Sequence, residues 1–321
     1  MTARIGILLT PDFGLTSFTS IVEVMRSANT LQGSDVYAWQ IIAAEAGPVL
    51  STAGVAIMAG PLPSEHTAFE RIFVPAAGNP ALYDNARVLQ WLRRAHRHGV
   101  QVVGVSGGAF LLAKAGLLHG RRFTIHWEHI EPLLEAFPDL TPQQTVHEID
   151  GSTVTAAGGI ATFDLMLTLL AQDRGAAFSA RVGDWLLHTE HRSGAQLQRS
   201  DPGTRNAVEH GALARVLAHI EGHAHEPLTL QALAANARLS SRHLERLFQQ
   251  YLGRSVHDHL VDVRLSRARV LLRQTPLAIG EIAIATGYAS ASHFTQIYRT
   301  RFGITPRVER QQERRRLGRF P

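Results

Sequence analysis

Two sets of residues in this 321-residue chain have the types and spacing to do chemistry. The first is the run Gly104-Val105-Ser106-Gly107-Gly108, set between an apolar stretch (101–105) and a helix-patterned one (107–115). A sharp strand-to-helix turn exposes one side chain, here Ser106, and its backbone N–H groups suit an anion such as a carboxylate. The G-x-S-x-G spacing is weak alone. A serine nucleophile needs a positioned base, and the 17 histidines are too many to nominate one. The second set occurs twice. Arg242, His243, Arg246 and Gln249 are followed at an offset of 50 by Ser292, His293, Gln296 and Arg299. Such side chains hydrogen-bond base edges and phosphates. The pairs His126/His129 and His257/His259 and the set His219/His223/His225 have spacings that bind metals, but no matching carboxylate or thiolate set accompanies them, so no metal site is expected. Zero cysteines exclude disulfides and thiol nucleophiles.

The duplicated polar residues need helices to present them. Residues 228–255 and 277–305 each read as a short helix, a turn and a second helix, and such a long-period repeat outranks any local pattern. The first helices carry Leu230, Leu233, Ala234 and Ala237 against Ile279, Ile282, Ala283 and Thr286, one buried stripe each. Ser240 or Ser241 can cap the helix that follows. Leu244, Leu247, Phe248 and Tyr251 make one inward face, and Phe294, Ile297 and Tyr298 make the other. Between the copies, 255–274 reads as one helix with Val256, Leu260, Val263 and Leu271 on its apolar side. A rigid spacer would hold two reading helices for successive major grooves, roughly 34 Å apart.

At these motifs the chain resembles the DNA-binding domain of the AraC/XylS regulators. L-E-R-L-F, R-L-S-R-A-R-V-L-L, I-G-E-I-A-I-A-T-G-Y, S-H-F and F-G-I-T-P carry the likeness over about a hundred residues. Two positions depart from the family pattern: Tyr288 stands for the usual Phe, and Val308-Glu309 for a frequent Tyr-Arg pair. The resemblance implies double-stranded DNA as a partner, with contact to RNA polymerase. Charge agrees. From Gly211 onward there are 17 arginines against 8 acidic residues, while residues 1–210 hold 15 basic and 19 acidic ones. A basic module joined to a slightly acidic one places nucleic-acid binding in the C-terminal part.

Upstream, strand and helix patterns alternate. Strands are read at 4–10, 37–44, 55–58, 71–75 and 101–105, with a hairpin about Asp150-Gly151. Helices are read at 17–29, 79–98, 107–115, 127–137, 160–171 and 177–189. This implies an α/β fold: a mostly parallel sheet sandwiched by helices, then an all-α C-terminal domain carrying two helix-turn-helix units. The expected domains are 1–190, a linker at 191–211, the DNA-binding domain at 212–308 and a loose basic tail at 309–321. No apolar run reaches the ~18 residues of a membrane span. The first residues read as a strand rather than a signal peptide, and a cytoplasmic location with no membrane partner is expected.

The first domain resembles the class I glutamine-amidotransferase-like superfamily, in its PfpI-protease-like branch. I-G-I-L-L-T-P-D-F, V-P-A-A-G, G-V-S-G-G-A-F-L-L-A-K-A-G-L-L-H-G, T-I-H-W-E and T-A-A-G-G-I-A-T-F-D-L-M-L carry that likeness. Its fusion to an AraC-type module is similar to the GlxA-type branch of those regulators. In the enzymes the elbow holds a cysteine followed by histidine; here it holds Ser106 followed by Gly107. The resemblance therefore implies a ligand pocket without catalysis or cofactor. Gly78 and Gly107 would allow close backbone approach. Glu23, Ser106, His126 and Trp127 would give polar and aromatic contacts, with Trp127 facing a cationic nitrogen. The expected function is a ligand-responsive regulator, an activator and a homodimer through its first domain. It would sense a small metabolite such as an amino acid or betaine-like compound. The rival is a serine-dependent hydrolase or amidase with an appended DNA-binding domain.

Overall fold

The computed structural model describes residues 2–64, 68–206, 208 and 210–317; the side chains of 314, 316 and 317 lie outside the description. The chain forms two compact units, Met1–Gln198 and Arg199–Pro321.

The first unit runs β1 (Ala3–Leu8), α1 (Leu15–Gln32), β2 (Tyr37–Ala43), β3 (Gly47–Leu50), β4 (Ala56–Pro61), β5 (Arg71–Ala76), α2 (Ala86–Arg97), β6 (Gln101–Ser106), α3 (Gly108–Lys114), α4 (Ile130–Ala136), β7 (His147–Asp150), β8 (Thr153–Ala156), α5 (Ala161–Arg174) and α6 (Ala176–Trp185). The strands make one eight-stranded sheet in the order β3-β4-β2-β1-β5-β6-β8-β7. Only β3 and β7, at the edges, run antiparallel to their neighbours. The inner strands are apolar throughout because both faces are covered. Ile72 and Val74 of β5 point into the core with α2 and α3, where Leu92 and Phe110 lie. Phe73, between them, joins the opposite core with Ile21 and Met25 of α1 and Leu165 and Leu169 of α5. This period of two places one core on each side of the sheet.

Some elements differ from the sequence reading. The helix expected over 79–98 is broken: a 3-10 turn at Pro80–Leu82 precedes α2, which Asn85 starts by accepting from Val88 N–H at 3.1 Å. Part of the stretch read as linker is not bare chain. Val146 N–H donates to Gln196 at 2.8 Å and Gln198 N–H to Gln144 at 3.0 Å, so 193–198 lies along the edge beside β7. Ahead of it, Arg192 donates to Asp164, which is fully buried in the first turn of α5 and also takes His188 at 2.9 Å.

The second unit is helical among its described residues: α7 (Pro202–Arg205), α8 (Gly211–His223), α9 (Leu230–Asn236), α10 (Ser241–Leu252), α11 (Val256–Gln274), α12 (Ile279–Ala285), α13 (Ala291–Phe302) and α14 (Pro306–Leu317). The pairs α9–α10 and α12–α13 are the two repeat copies, and α11 is the spacer helix. Tyr251, read as inward, is 37% exposed, because Leu244, Leu247 and Phe248 already fill that face. The tail from 309 was read as loose, but up to Leu317 it belongs to α14. Glu309 explains this: it is 3% exposed and accepts from Arg269 (2.5 Å), Arg273 (2.7 Å) and the Tyr298 hydroxyl (2.5 Å). Residues 318–321 of the expected tail lie outside the described residues.

Candidate functional site

The elbow sits at the carboxyl edge of the sheet. The chain winds outward from β1 to β2 on one side and from β5 to β6 on the other, so the strand order reverses between β1 and β5. Open α/β sheets bind ligands at the carboxyl ends of the strands flanking such a reversal. Here Asp12, after β1, meets Gly78, after β5: a Cβ on Gly78 would lie 2.6 Å from the Cβ of Asp12. Asp12 and Ser106 both hold left-handed backbone, φ 59° and 57°. Such conformations cost a non-glycine residue about 1–3 kcal/mol and cluster at functional sites.

Ser106 is 8% exposed and ends β6. The loop before α5 closes over it. Gly158, at φ 92°, comes so near that a Cβ there would stand 2.4 Å from that of Ser106. Gly159 N–H then donates to Ser17 Oγ at 2.9 Å, pinning the loop to α1. Gly108 lets α3 sit on β5, where a side chain would strike the Val74 carbonyl.

The expected contact residues fall into two groups. Gly78, Ser106 and Gly107 come together at this edge. The Gly107 N–H is already engaged, donating to Ala76 at 2.8 Å, which removes it as an anion donor. The space a side chain at 107 would need is taken by Pro80 and by the Nε2 of buried His129, 3.2 Å from the ideal Cβ. His126 precedes a 3-10 turn, Trp127–His129, and its ring lies 5.3 Å from Trp127 and 5.8 Å from His129. Trp127 is 42% exposed. Glu23 is elsewhere: it forms a surface pair with Arg26 at 2.7 Å, with its side chain 43% exposed. Position 17, not 23, faces the elbow loop from α1, and Ser17 is 2% exposed. Asp12, Ser17 and Gly158 were not singled out by the sequence reading, which weighed His129 only as half of a metal-type pair with His126. The T-P-D-F-G turn and paired Gly158-Gly159 were the available signals.

One contact leads out of this site. Gln198, the last residue of the first unit, donates to Thr124 Oγ1 at 2.9 Å and to the Ile125 carbonyl at 2.8 Å, and accepts from Trp127 N–H at 2.9 Å.

In the second unit the repeat is closely kept. α10 and α13 are both 12 residues long. Ser240 and Ser290 cap them by accepting from His243 and His293 N–H, and Gly253 and Gly303 end them in left-handed backbone. Arg242, Arg246 and Gln249 are exposed at i, i+4 and i+7, as are Ser292, Gln296 and Arg299; His243 is half-buried and His293 exposed. Ser292, Gln296 and Arg299 line an open surface groove along α13. Tyr288, in place of the family's Phe, buries a hydroxyl without a hydrogen bond among the described residues. Burial pushes its phenol up to about 12, and Arg264 lies 5.7 Å from its ring.

A mostly parallel α/β unit followed by paired helix-turn-helix units defines a DNA-binding transcription regulator. Comparisons with known proteins agree. The profile of the DJ-1/PfpI family matches residues 3–172, and a helix-turn-helix domain profile matches residues 233–312. The chain is 41% identical to the HTH-type transcriptional regulator GlxA of Rhizobium meliloti (strain 1021), over 94% of both chains. It is 37% identical to the HTH-type transcriptional regulator CdhR of Pseudomonas aeruginosa, over 94% of this chain and 90% of that one. Among solved structures, an AraC family transcriptional regulator from Pseudomonas putida superposes with a TM-score of 0.53 at 24% identity, covering 57% of this chain and 99% of that one. The protein belongs to the AraC-family transcription regulators that carry a DJ-1/PfpI domain ahead of the helix-turn-helix units. Among the described residues no helix is long and apolar enough to cross a membrane.

Proposed function

We propose that the first unit senses a small metabolite at the Ser106 edge and that the second reads DNA through α10 and α13, activating transcription when the site is filled. The effector class is an amino acid or a betaine-like quaternary amine. Asp12 and Trp127 offer contacts for a cationic nitrogen, and Ser17 and Ser106 offer hydroxyl groups. Glu23, with its carboxylate paired to Arg26, drops out of the contact set. On the DNA side, Arg242, His243, Arg246, Gln249, Ser292, His293, Gln296 and Arg299 contact the duplex. A homodimer through the first unit, contact with RNA polymerase and a cytoplasmic location complete the reading.

Gln198 carries it. A ligand changes transcription only by favouring one arrangement over another. The residue that starts the connection to the DNA-binding unit is hydrogen-bonded three times to the segment bearing His126 and Trp127. The test begins with a thermal-shift screen of amino acids and quaternary amines on the full chain. Gln198→Ala should keep the shift given by any hit but lose the response of a reporter gene. A variant that still responds in full rejects this route. A screen with no hit rejects the effector class.

The left-handed backbone of Ser106 also suits the rival serine hydrolase. Ser106→Ala separates the two. If it abolishes hydrolysis of a model amide while DNA binding stays, the sensor-only reading fails.

A further inference from the structure

The two helix-turn-helix units of the second domain have separate cores. Leu213, Leu233, Leu244 and Phe248 belong to one, and Leu265, Ile282, Phe294 and Tyr298 to the other. Of the helices, α11 supplies both, Val256 and Leu260 to the first and Leu265 and Leu271 to the second. Packing inside each core does not fix the angle between them. That falls to α11 and to the bonds that cross beside it.

Asp262 lies on α11 between the two sets. Its Oδ2 accepts from Arg254 at 2.8 Å and from Arg301 at 2.9 Å. Arg254 stands in the turn between α10 and α11, and Arg301 in the last turn of α13. All three line a groove whose other wall includes His293, Gln296 and Thr300 of α13. An acid beside a duplex opposes phosphate binding, since each phosphate is held by neutralising it. Its side chain is 22% exposed, so the charge is not hidden. The position needs a reason other than affinity. Arg264, two residues on, makes a second crossing: it donates to the Ala224 and Glu226 carbonyls after α8 and lies over Tyr288. Loss of Asp262 would therefore loosen the pair of units without separating it.

We propose that Asp262 is a positioning residue for DNA recognition. It fastens the α10–α11 corner to α13, holds the two reading helices at one separation, and keeps Arg254 and Arg301 from gripping phosphates of any sequence. This rests on α10 and α13 being the reading helices. If they are not, Arg246→Ala and Gln296→Ala will leave binding unchanged, an outcome separate from the one that follows.

The probes are a duplex selected by the full chain from a random pool and a random-sequence duplex of equal length. Asp262→Ala should weaken the selected duplex about tenfold, the scale of two partly exposed ion pairs. The random duplex should bind as well or more tightly, with a salt slope steeper by about one per freed arginine. Asp262→Glu should keep the wild-type ratio. The chain has no cysteine, so spin labels at Gln250→Cys and Ala291→Cys read the spacing of α10 and α13 directly. Their distance distribution should broaden with Asp262→Ala. Equal tightening on both duplexes, unchanged affinities, or an unbroadened distance overturns the proposal. Should Asp262→Ala fail to fold, Asp262→Asn keeps the side-chain size and is read by the same criteria.

Discussion

At the residue scale, single atoms decide the elbow. Gly158 has a backbone that L side chains rarely adopt and no room for a Cβ above Ser106, whereas Gly159, at φ 55°, faces open space. Gly158→Ala is therefore expected to destabilise the first unit by about 1–3 kcal/mol, and Gly159→Ala by about 1 kcal/mol. Thermal unfolding of the two variants checks the difference, and equal midpoints would count against the packing described. In the second unit the scale is that of one base contact. Arg246→Ala and Gln296→Ala, at equivalent positions of the two copies, should each weaken specific binding by about 1–3 kcal/mol. Unchanged footprints would reject these two as base readers.

At the element scale, α14 depends on one buried acid. Burial works to raise the Glu309 carboxyl, but hydrogen bonds from Arg269, Tyr298 and Arg273 outweigh it and hold it below the usual range. A carboxylate depressed in the folded state adds stability above its unfolded value, about 4.3. That stability is lost as pH falls through the folded value. The second unit should thus lose stability on acidification below about pH 5. Glu309→Gln should be less stable at neutral pH and show a flatter acid limb. A wild-type acid limb in that variant would show that the network contributes nothing. The sequence offered only Glu309 where the family often has Arg. Its exchange made sense once α11 placed Arg269 and Arg273 opposite.

At the scale of the whole molecule, charge is divided between the units. Positive charge gathers after Gly211, with Arg242 and Arg246 on α10 and Arg299 and Arg301 on α13. DNA affinity of the full chain should fall linearly with the logarithm of salt, with a slope of about −0.9 per phosphate neutralised. A flat response across a fourfold change in salt would remove phosphate contacts from the account. The site proposed at the Ser106 edge is expected to have no such long-range signature, because residues 1–210 carry only a slight acidic excess, 15 basic against 19 acidic residues.

The sequence by itself determined the repeat, the α/β alternation and the replacement of Cys-His by Ser106-Gly107. Each is a local pattern: apolar spacing sets an element, and residue identity sets what it can do. The exposed faces of α10 and α13 were legible for the same reason, since 3.6 residues per turn fixes which side chains share a side. The pairing of Glu23 with Arg26 was not legible, because membership of a motif does not say which turn of a helix faces a loop from another strand. Ser17 meets the Gly158-Gly159 loop because that loop folds back onto the first half of α1. The bonds of Gln198, Asp262 and Glu309 join residues 73, 39 and 36 positions apart, and only packing brings such groups within hydrogen-bond reach.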